Sequence, residues 1–308
     1  MAIWSDHDIR MYLKRIDYPA SLEDLKTLIS SDPLEGLKSL QKFHLVRVPF
    51  ESVSLHYSPH RTLSLDPVDL YEKIVSQGRG GYCMEVNAFF ACVLRSLGYN
   101  LINVGGRVKG PDGYKGWDHM LNLVKINNKR YVVDVGFGSN GPLFPYPLEH
   151  DHEFVGIASA RGRLQYRTVD QLTDPDQKVW VYSIKQNDET PWSEAYCFVE
   201  LEFMPGDFEV MNLRTMTSPR SFFVQNVMCM RILLDGRELD AKPIGKLILH
   251  RDFVKKIVGD ETEEVQKLES EAQRVLALEK YFGIRLSQRE EKAIKGLASE
   301  LKDTSKHA

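Results

Sequence analysis

Arg79-Gly80-Gly81-Tyr82-Cys83-Met84-Glu85 places a cysteine where a glycine-bearing turn meets an apolar-periodic segment. Val86, Phe89, Phe90, Val93, Leu94 and Leu97 follow at spacings of three and four, which predicts a helix with one buried face and Cys83 at its N-terminus. Helix N-termini are among the surroundings that activate a thiol, because their N–H groups and the positive end of the dipole favour negative charge. A cysteine nucleophile also needs a base and a group that orients the base. Asp118-His119-Met120-Leu121-Asn122-Leu123-Val124 alternates as a strand, Asn127-Asn128 reads as a turn, and the stretch from Arg130 to Gly138 returns as a second strand carrying Asp134. Two paired strands can hold His119 and Asp134 side by side, and Cys83, His119 and Asp134 then fit the logic of a nucleophile triad. Each residue alone also reads as packing, since cysteine is a small core residue and a histidine on an apolar strand is often a satisfied one. Their coincidence between positions 83 and 134, each in a turn-flanked context, favours chemistry.

These residues resemble a known family, the arylamine N-acetyltransferases. The pattern R-G-G-x-C-x-E-x-N runs from Arg79 to Asn87, the histidine stands in Asp118-His119-Met120, and the aspartate in Val133-Asp134-Val135-Gly136-Phe137-Gly138. Tyr12-Leu13-Lys14-Arg15-Ile16 resembles the family's first helix, and Val48-Pro49-Phe50-Glu51 its P-F-E-N motif, with Ser52 in place of the asparagine. Ser218-Pro219-Arg220-Ser221-Phe222 resembles the segment that opens the last third, so the similarity covers roughly residues 8–230. The resemblance implies Cys83 as nucleophile, His119 as its ion-pair partner and proton shuttle, and Asp134 as orienter, with backbone N–H groups at the helix start holding the oxyanion. It implies acetyl-coenzyme A or another short acyl-coenzyme A as co-substrate, an arylamine or arylhydrazine acceptor, ping-pong kinetics and no metal. Phe50, Tyr82, Trp117 and Phe137 are expected around the substrate, Gly138 and Ser139 on coenzyme A, and Ser218 and Phe222 as further substrate contacts. Two other classes stay open: a Cys-His-Asp amide hydrolase or transglutaminase-like enzyme, and a non-catalytic coenzyme A or aromatic-ligand binder. The acyl group, acetyl against malonyl or propionyl, the natural amine and the oligomeric state are not legible.

The expected fold is α+β, with a catalytic core like that of cysteine proteases and transglutaminases. A helical bundle over residues 1–97 carries the nucleophile, an antiparallel β-barrel-like domain over 98–210 carries His119 and Asp134, and an α/β lid spans 211–308. Helices are predicted over 6–15, 21–31, 34–44 and 67–76, strands over 179–185, 195–203 and 227–234, and a two-residue hairpin at Asp235-Gly236. Gly138 to Pro147 reads as a Gly/Pro-rich loop. The polar stretch 261–282 reads as a helix ending at Gly283, and a capping-box pattern at Ser287 predicts another to about residue 301. The end from residue 302 is expected to fray.

With 308 residues, 43% hydrophobic and 27% charged, the chain is large enough for more than one domain. A net charge of −3 without a basic stripe argues against nucleic acid as a partner. Lacking a signal-like start or an uncharged apolar run of spanning length, the sequence is expected to be cytoplasmic and free of the membrane. The four cysteines, Cys83, Cys92, Cys197 and Cys229, follow no metal-ligand spacing and read as free thiols. Cys92 falls on the opposite side of the Cys83 helix and reads as core. His150 and His152 flank Asp151 beside a Pro-bearing loop and read as solvated rather than metal-bound.

Overall fold

A computed structural model describes residues 4–302. The chain opens with α1 (Asp6–Arg15), α2 (Leu22–Ser31) and α3 (Pro33–Arg47). Ser5 and Ser21 cap the first two in reciprocal boxes with Asp8 and Asp24, and Asp32 caps the third ahead of Pro33. After β1 (Phe50–Glu51), α4 (Val53–His56) and α5 (Pro67–Tyr71), which runs into a π-helical turn at Glu72–Ser76, comes α6 (Cys83–Ser96). Tyr12, Leu13, Leu25, Leu40 and Phe43 close over Val86, Phe89, Phe90, Val93 and Leu94, so the apolar face predicted for α6 forms the centre of the helical core. Truncating Phe89 there would cost about 3–5 kcal/mol.

Strands follow: β2 (Asn100–Gly110), β3 (Gly113–Tyr114), β4 (His119–Ile126), β5 (Lys129–Val133), β6 (Tyr146–Pro147), β7 (His152–Val155), β8 (Arg161–Arg167), β9 (Val179–Lys185) and β10 (Ser193–Glu202). Asn127 and Asn128 both take positive φ, 47° and 64°, as a tight β4–β5 hairpin turn requires. The antiparallel order is β6-β5-β4-β2-β10-β9-β8-β7, with β3 beside β2. Tyr146 on one edge strand stacks on Phe154 of the other at 4.3 Å, so the sheet curls until it is nearly closed. Leu121, Leu123, Val132, Tyr182, Tyr196 and Phe198 pack together within it.

Beyond lie α7 (Pro205–Thr217), α8 (Phe222–Gln225), β11 (Met228–Leu234), β12 (Pro243–His250), β13 (Phe253–Val258), β14 (Glu261–Lys267), α9 (Glu271–Phe282) and α10 (Gln288–Ala293). A second sheet runs β1-β11-β12-β13-β14, with Phe50 opposite Met230. The α+β class is thus met as helices with a nearly closed antiparallel sheet.

Local expectations fail at five places, the first being that β5 ends at Val133, so that Asp134 to Gly138 lie beyond the strand expected over 130–138. Residues 205–217 and 222–225 are helical between the strands expected at 195–203 and 227–234, where no helix is predicted. The 261–282 segment is β14 followed by α9, because Glu263 and Glu264 lie opposite Lys256 and Lys255 of β13, and cross-strand pairing overrides helix propensity. Asp235-Gly236 is no two-residue turn: pairing resumes only at Leu234 with Pro243, while the Asp235 N–H reaches Lys242 O at 3.1 Å across a longer loop. Helix α10 stops at Ala293, ahead of Gly296 at φ 82°. Gly283, at φ 70°, ends α9 as predicted. The end expected to fray lies, beyond residue 302, outside the described residues.

Candidate functional site

The turn into α6 is fixed by backbone pairing and buried charge. Gly81 N–H donates to Pro49 O at 3.3 Å and Glu51 N–H to Gly81 O at 3.0 Å. A Cβ on Gly80 would lie 1.8 Å from Pro49 O, so only glycine fits. Glu85 Oε2 accepts the Tyr82 N–H at 3.2 Å and its Oε1 pairs with Lys73 Nζ at 2.6 Å, capping the helix that starts at Cys83. Burial, reinforced by the nearby Glu51 carboxylate, raises the Glu85 pKa despite Lys73. Glu51 is fully buried too, yet Lys73 and Arg79 and two backbone N–H donors hold it below the ordinary carboxylate range.

His119 begins β4 and Asp134 lies one residue beyond β5. Continuing the β4–β5 register, in which Asn122 faces Val133, sets Asp134 across from Leu121, diagonal to His119 on the same face. His119 Nε2 and Asp134 Oδ2 are 2.8 Å apart, both groups being buried. Burial pulls the imidazole pKa down, but the Asp134 charge and hydrogen bond, with a contribution from Cys83, raise it to about 10. Burial raises Asp134 in turn, and the His119 charge with donors from His119, Asn87 and Gly136 brings it below its usual value. The pair therefore rests as imidazolium and carboxylate. Cys83 Sγ lies 3.6 Å from the carbonyl oxygen of Asp118, the residue before His119. Gly136 lets the loop after Asp134 press on α6: a Cβ there would sit 2.7 Å from Cys83 Cα.

Cys83 and His119 open onto a cavity of about 780 Å³. Phe50, Phe137, Gly138, Ser139, Ser218 and Phe222 line it as expected substrate neighbours, and Phe223, Met228 and Thr215 add to its wall. Asp134 stands behind His119, outside the wall. Two further expected contacts lie elsewhere. Tyr82 is wholly buried, turns its hydroxyl to Asn212 Oδ1 and meets Phe223 edge-on, while Trp117 packs on Phe203 at 5.1 Å beneath the Arg107 guanidinium. Lys115, Arg214 and Arg220 also face the cavity, as do Asp112 and Asp118.

Asn87 and helix α7 lie outside the site residues expected from the sequence. Asn87 was part of the quoted pattern, but a buried amide gives no periodic signal. Helix α7 had one: Pro205 and Asp207 in a first turn, then Phe208, Met211, Asn212 and Thr215 at spacings of three and four. Among the described residues no group of three or more His, Cys, Asp or Glu side chains could hold a metal ion. His150 instead pairs with Asp151 at 3.0 Å. Among the described residues no helix is long and apolar enough to cross a membrane.

The family model for N-acetyltransferases matches residues 33–291. The chain is 36% identical to "N-malonyltransferase FDB2" of Gibberella moniliformis, over 94% of this chain and 92% of that one. It is 30% identical to the pineal gland isozyme NAT-3 of arylamine N-acetyltransferase from Gallus gallus, over 74% of this chain and 79% of the relative. Among solved structures, Mycobacterium marinum arylamine N-acetyltransferase in complex with CoA superposes with a TM-score of 0.73 at 27% identity, covering 92% of this chain and 99% of that one.

Proposed function

The chain belongs to the arylamine N-acetyltransferase family, and from that premise we propose that it moves a short acyl group from coenzyme A to an aromatic amine through a thioester on Cys83. The Cys83 thiolate attacks the acyl-coenzyme A carbonyl, backbone N–H groups at the α6 start, that of Cys83 included, hold the oxyanion, and the coenzyme A thiolate leaves with the proton of the His119 imidazolium. An arylamine or arylhydrazine nitrogen then attacks the S-acyl carbonyl and gives its proton to the neutral His119, which restores imidazolium and thiolate. Asp134 orients the ring and stabilises its charged form. No metal takes part. The apolar walls at Phe50, Phe137, Phe222 and Phe223 suit a flat aromatic acceptor. The acyl group is acetyl or malonyl, the two that the names of the relatives carry.

The observation that carries this reading is that Cys83 and an imidazole held protonated by Asp134 share one cavity wall. Intact mass after mixing with acetyl- or malonyl-coenzyme A tests it. An acyl increment on Cys83 that persists without amine and disappears on adding one is expected. Rapid loss to water alone would favour the hydrolase, and no adduct from either donor would leave only a binder.

A further inference from the structure

Helix α7 lies across the candidate site and is pinned there. Asn212 Nδ2 donates to Leu63 O at 2.8 Å, and its Oδ1 receives the hydroxyl of Tyr82, the residue next to Cys83. Met211, the residue before Asn212, packs in the cluster that contains Cys83, Tyr82 and Phe50. Arg214 and Thr215 stand three and four residues after Met211, on the same helix face, and both line the cavity. Thr215 is buried, so this face runs inward, and Arg214 is set beside it.

The Arg214 guanidinium has no hydrogen bond or ion pair among the described residues. Its charge acts on the Asp118 carboxylate at the cavity wall, after those of Lys115 and His119. An unpaired, planar, always-charged donor fork on the cavity that holds the nucleophile suits a second carboxylate on the molecule being attacked. The facing charges are Asp112 and Asp118 against Lys115, Arg214, Arg220 and the His119 imidazolium, which leaves the cavity positive.

We propose that Arg214 selects acyl donors that end in a free carboxylate, such as malonyl-coenzyme A, by pairing with that carboxylate while the thioester carbonyl stands at Cys83. One methylene separates the two carbonyl carbons of a malonyl group, so a cation serving its carboxylate must flank the nucleophile. Asn212 fixes the helix that carries Arg214, whereas Lys115 and Arg220 line the same cavity from loops. This inference rests on the thioester reading above and deepens it.

The test measures single-turnover acylation of Cys83 in the full-length protein, by coenzyme A release and intact mass, with malonyl-, acetyl- and propionyl-coenzyme A. The wild type is expected to favour malonyl over acetyl by at least about tenfold, and Arg214→Gln to lower that ratio roughly 10- to 100-fold. Arg214→Lys should fall between, losing the bidentate fork but not the charge. Arg220→Gln should slow both donors in parallel. Arg214 is exposed, so its replacement leaves the core intact, and thermal unfolding of the two variants checks this. Acetyl transfer at least as fast as malonyl in the wild type overturns the selectivity and leaves the thioester mechanism standing. So does a malonyl-to-acetyl ratio that Arg214→Gln shifts by less than about threefold. Failure of every donor to acylate Cys83 overturns both readings.

Discussion

The Asn87 amide nitrogen stands 3.0 Å from Asp134 Oδ1, so a buried hydrogen bond ties the helix that begins at Cys83 to the strand end that orients His119. The same amide donates to Met120 O at 2.7 Å, its oxygen accepts the Val135 N–H at 3.0 Å, and the Asn87 carbonyl takes Asn122 Nδ2 at 3.1 Å. One side chain thus sets the relative position of all three members of the candidate triad.

Replacing Asn87 by alanine strips a partner from Met120 O and Val135 N–H at once and leaves Asp134 Oδ1 with the Gly136 N–H alone. Each unsatisfied buried group costs about 1–3 kcal/mol and the losses are not additive, so Asn87→Ala should lower stability by roughly 3 kcal/mol. Urea unfolding measures this, and acylation should slow as well because Asp134 loses a hydrogen bond that fixes its rotamer. A variant as stable as wild type would show that Asn87 is not the hub of this network.

The four thiols are expected to react very unequally. Burial pushes Cys92 and Cys197 up to about 11 and also raises Cys229, which is fully buried, well above its ordinary value. Cys83 alone among them lines the cavity and lies next to an imidazolium. Limiting iodoacetamide at pH 7 should therefore label Cys83 first, as peptide mapping would reveal. Uniform labelling, or labelling led by Cys92, contradicts an activated Cys83.

The candidate triad was legible because each member sits where local pattern is strong: Cys83 at a glycine turn before a three-to-four repeat, His119 on an alternating strand and Asp134 just past the end of the next, around an Asn-Asn turn. What the sequence hid was set by distant partners. Glu261 to Lys267 looks helical until Lys255 and Lys256 supply opposite charges across the ladder. Phe50 and Met230 pair across two sheet strands that no local rule connects. Tyr82 sounds like a pocket wall because it neighbours Cys83, yet at the helix start its ring turns inward to Asn212. Helix α7, which brings Arg214 and Thr215 to the cavity, was obscured by its neighbours' strand-like alternation.

Acid should weaken the fold through two histidines. Burial lowers His44 to about 3, and His56 to about 4 despite the carbonyls of Phe223 and Asn226. Unfolded, both titrate near 6.5, so between that pH and their folded values the unfolded chain binds more protons. Their contribution is complete above about pH 7 and is lost on acidification, roughly 2 kcal/mol each by pH 5. Glu85, with its raised pKa, acts in the opposite sense, so the decisive comparison is between wild type and His56→Gln. The urea-derived stability of the variant should fall less between pH 7 and 5, by about 2 kcal/mol. Equal slopes would mean that His56 is not held neutral.

Asp134→Asn separates an orienting carboxylate from a strand-end residue. The amide keeps the size of the side chain and a hydrogen bond to Asn87, but it removes the charge that overcomes burial at His119. In wild type the ring should stay protonated past neutrality, toward pH 10, and the stability it confers is full below about pH 6.5 and lost as pH rises through that higher value. Without the carboxylate, burial governs, and the ring should titrate at or below its ordinary value and be neutral at pH 7. NMR of the His119 ring protons follows this directly. A neutral ring can neither support the Cys83 thiolate nor hand a proton to leaving coenzyme A, so acylation should drop by roughly 10² to 10⁴, as in serine triads that lose their aspartate. If the ring titrates unchanged in Asp134→Asn and acylation keeps its wild-type rate, Asp134 has no part in the mechanism, and a loss of stability alone would mark it as structural.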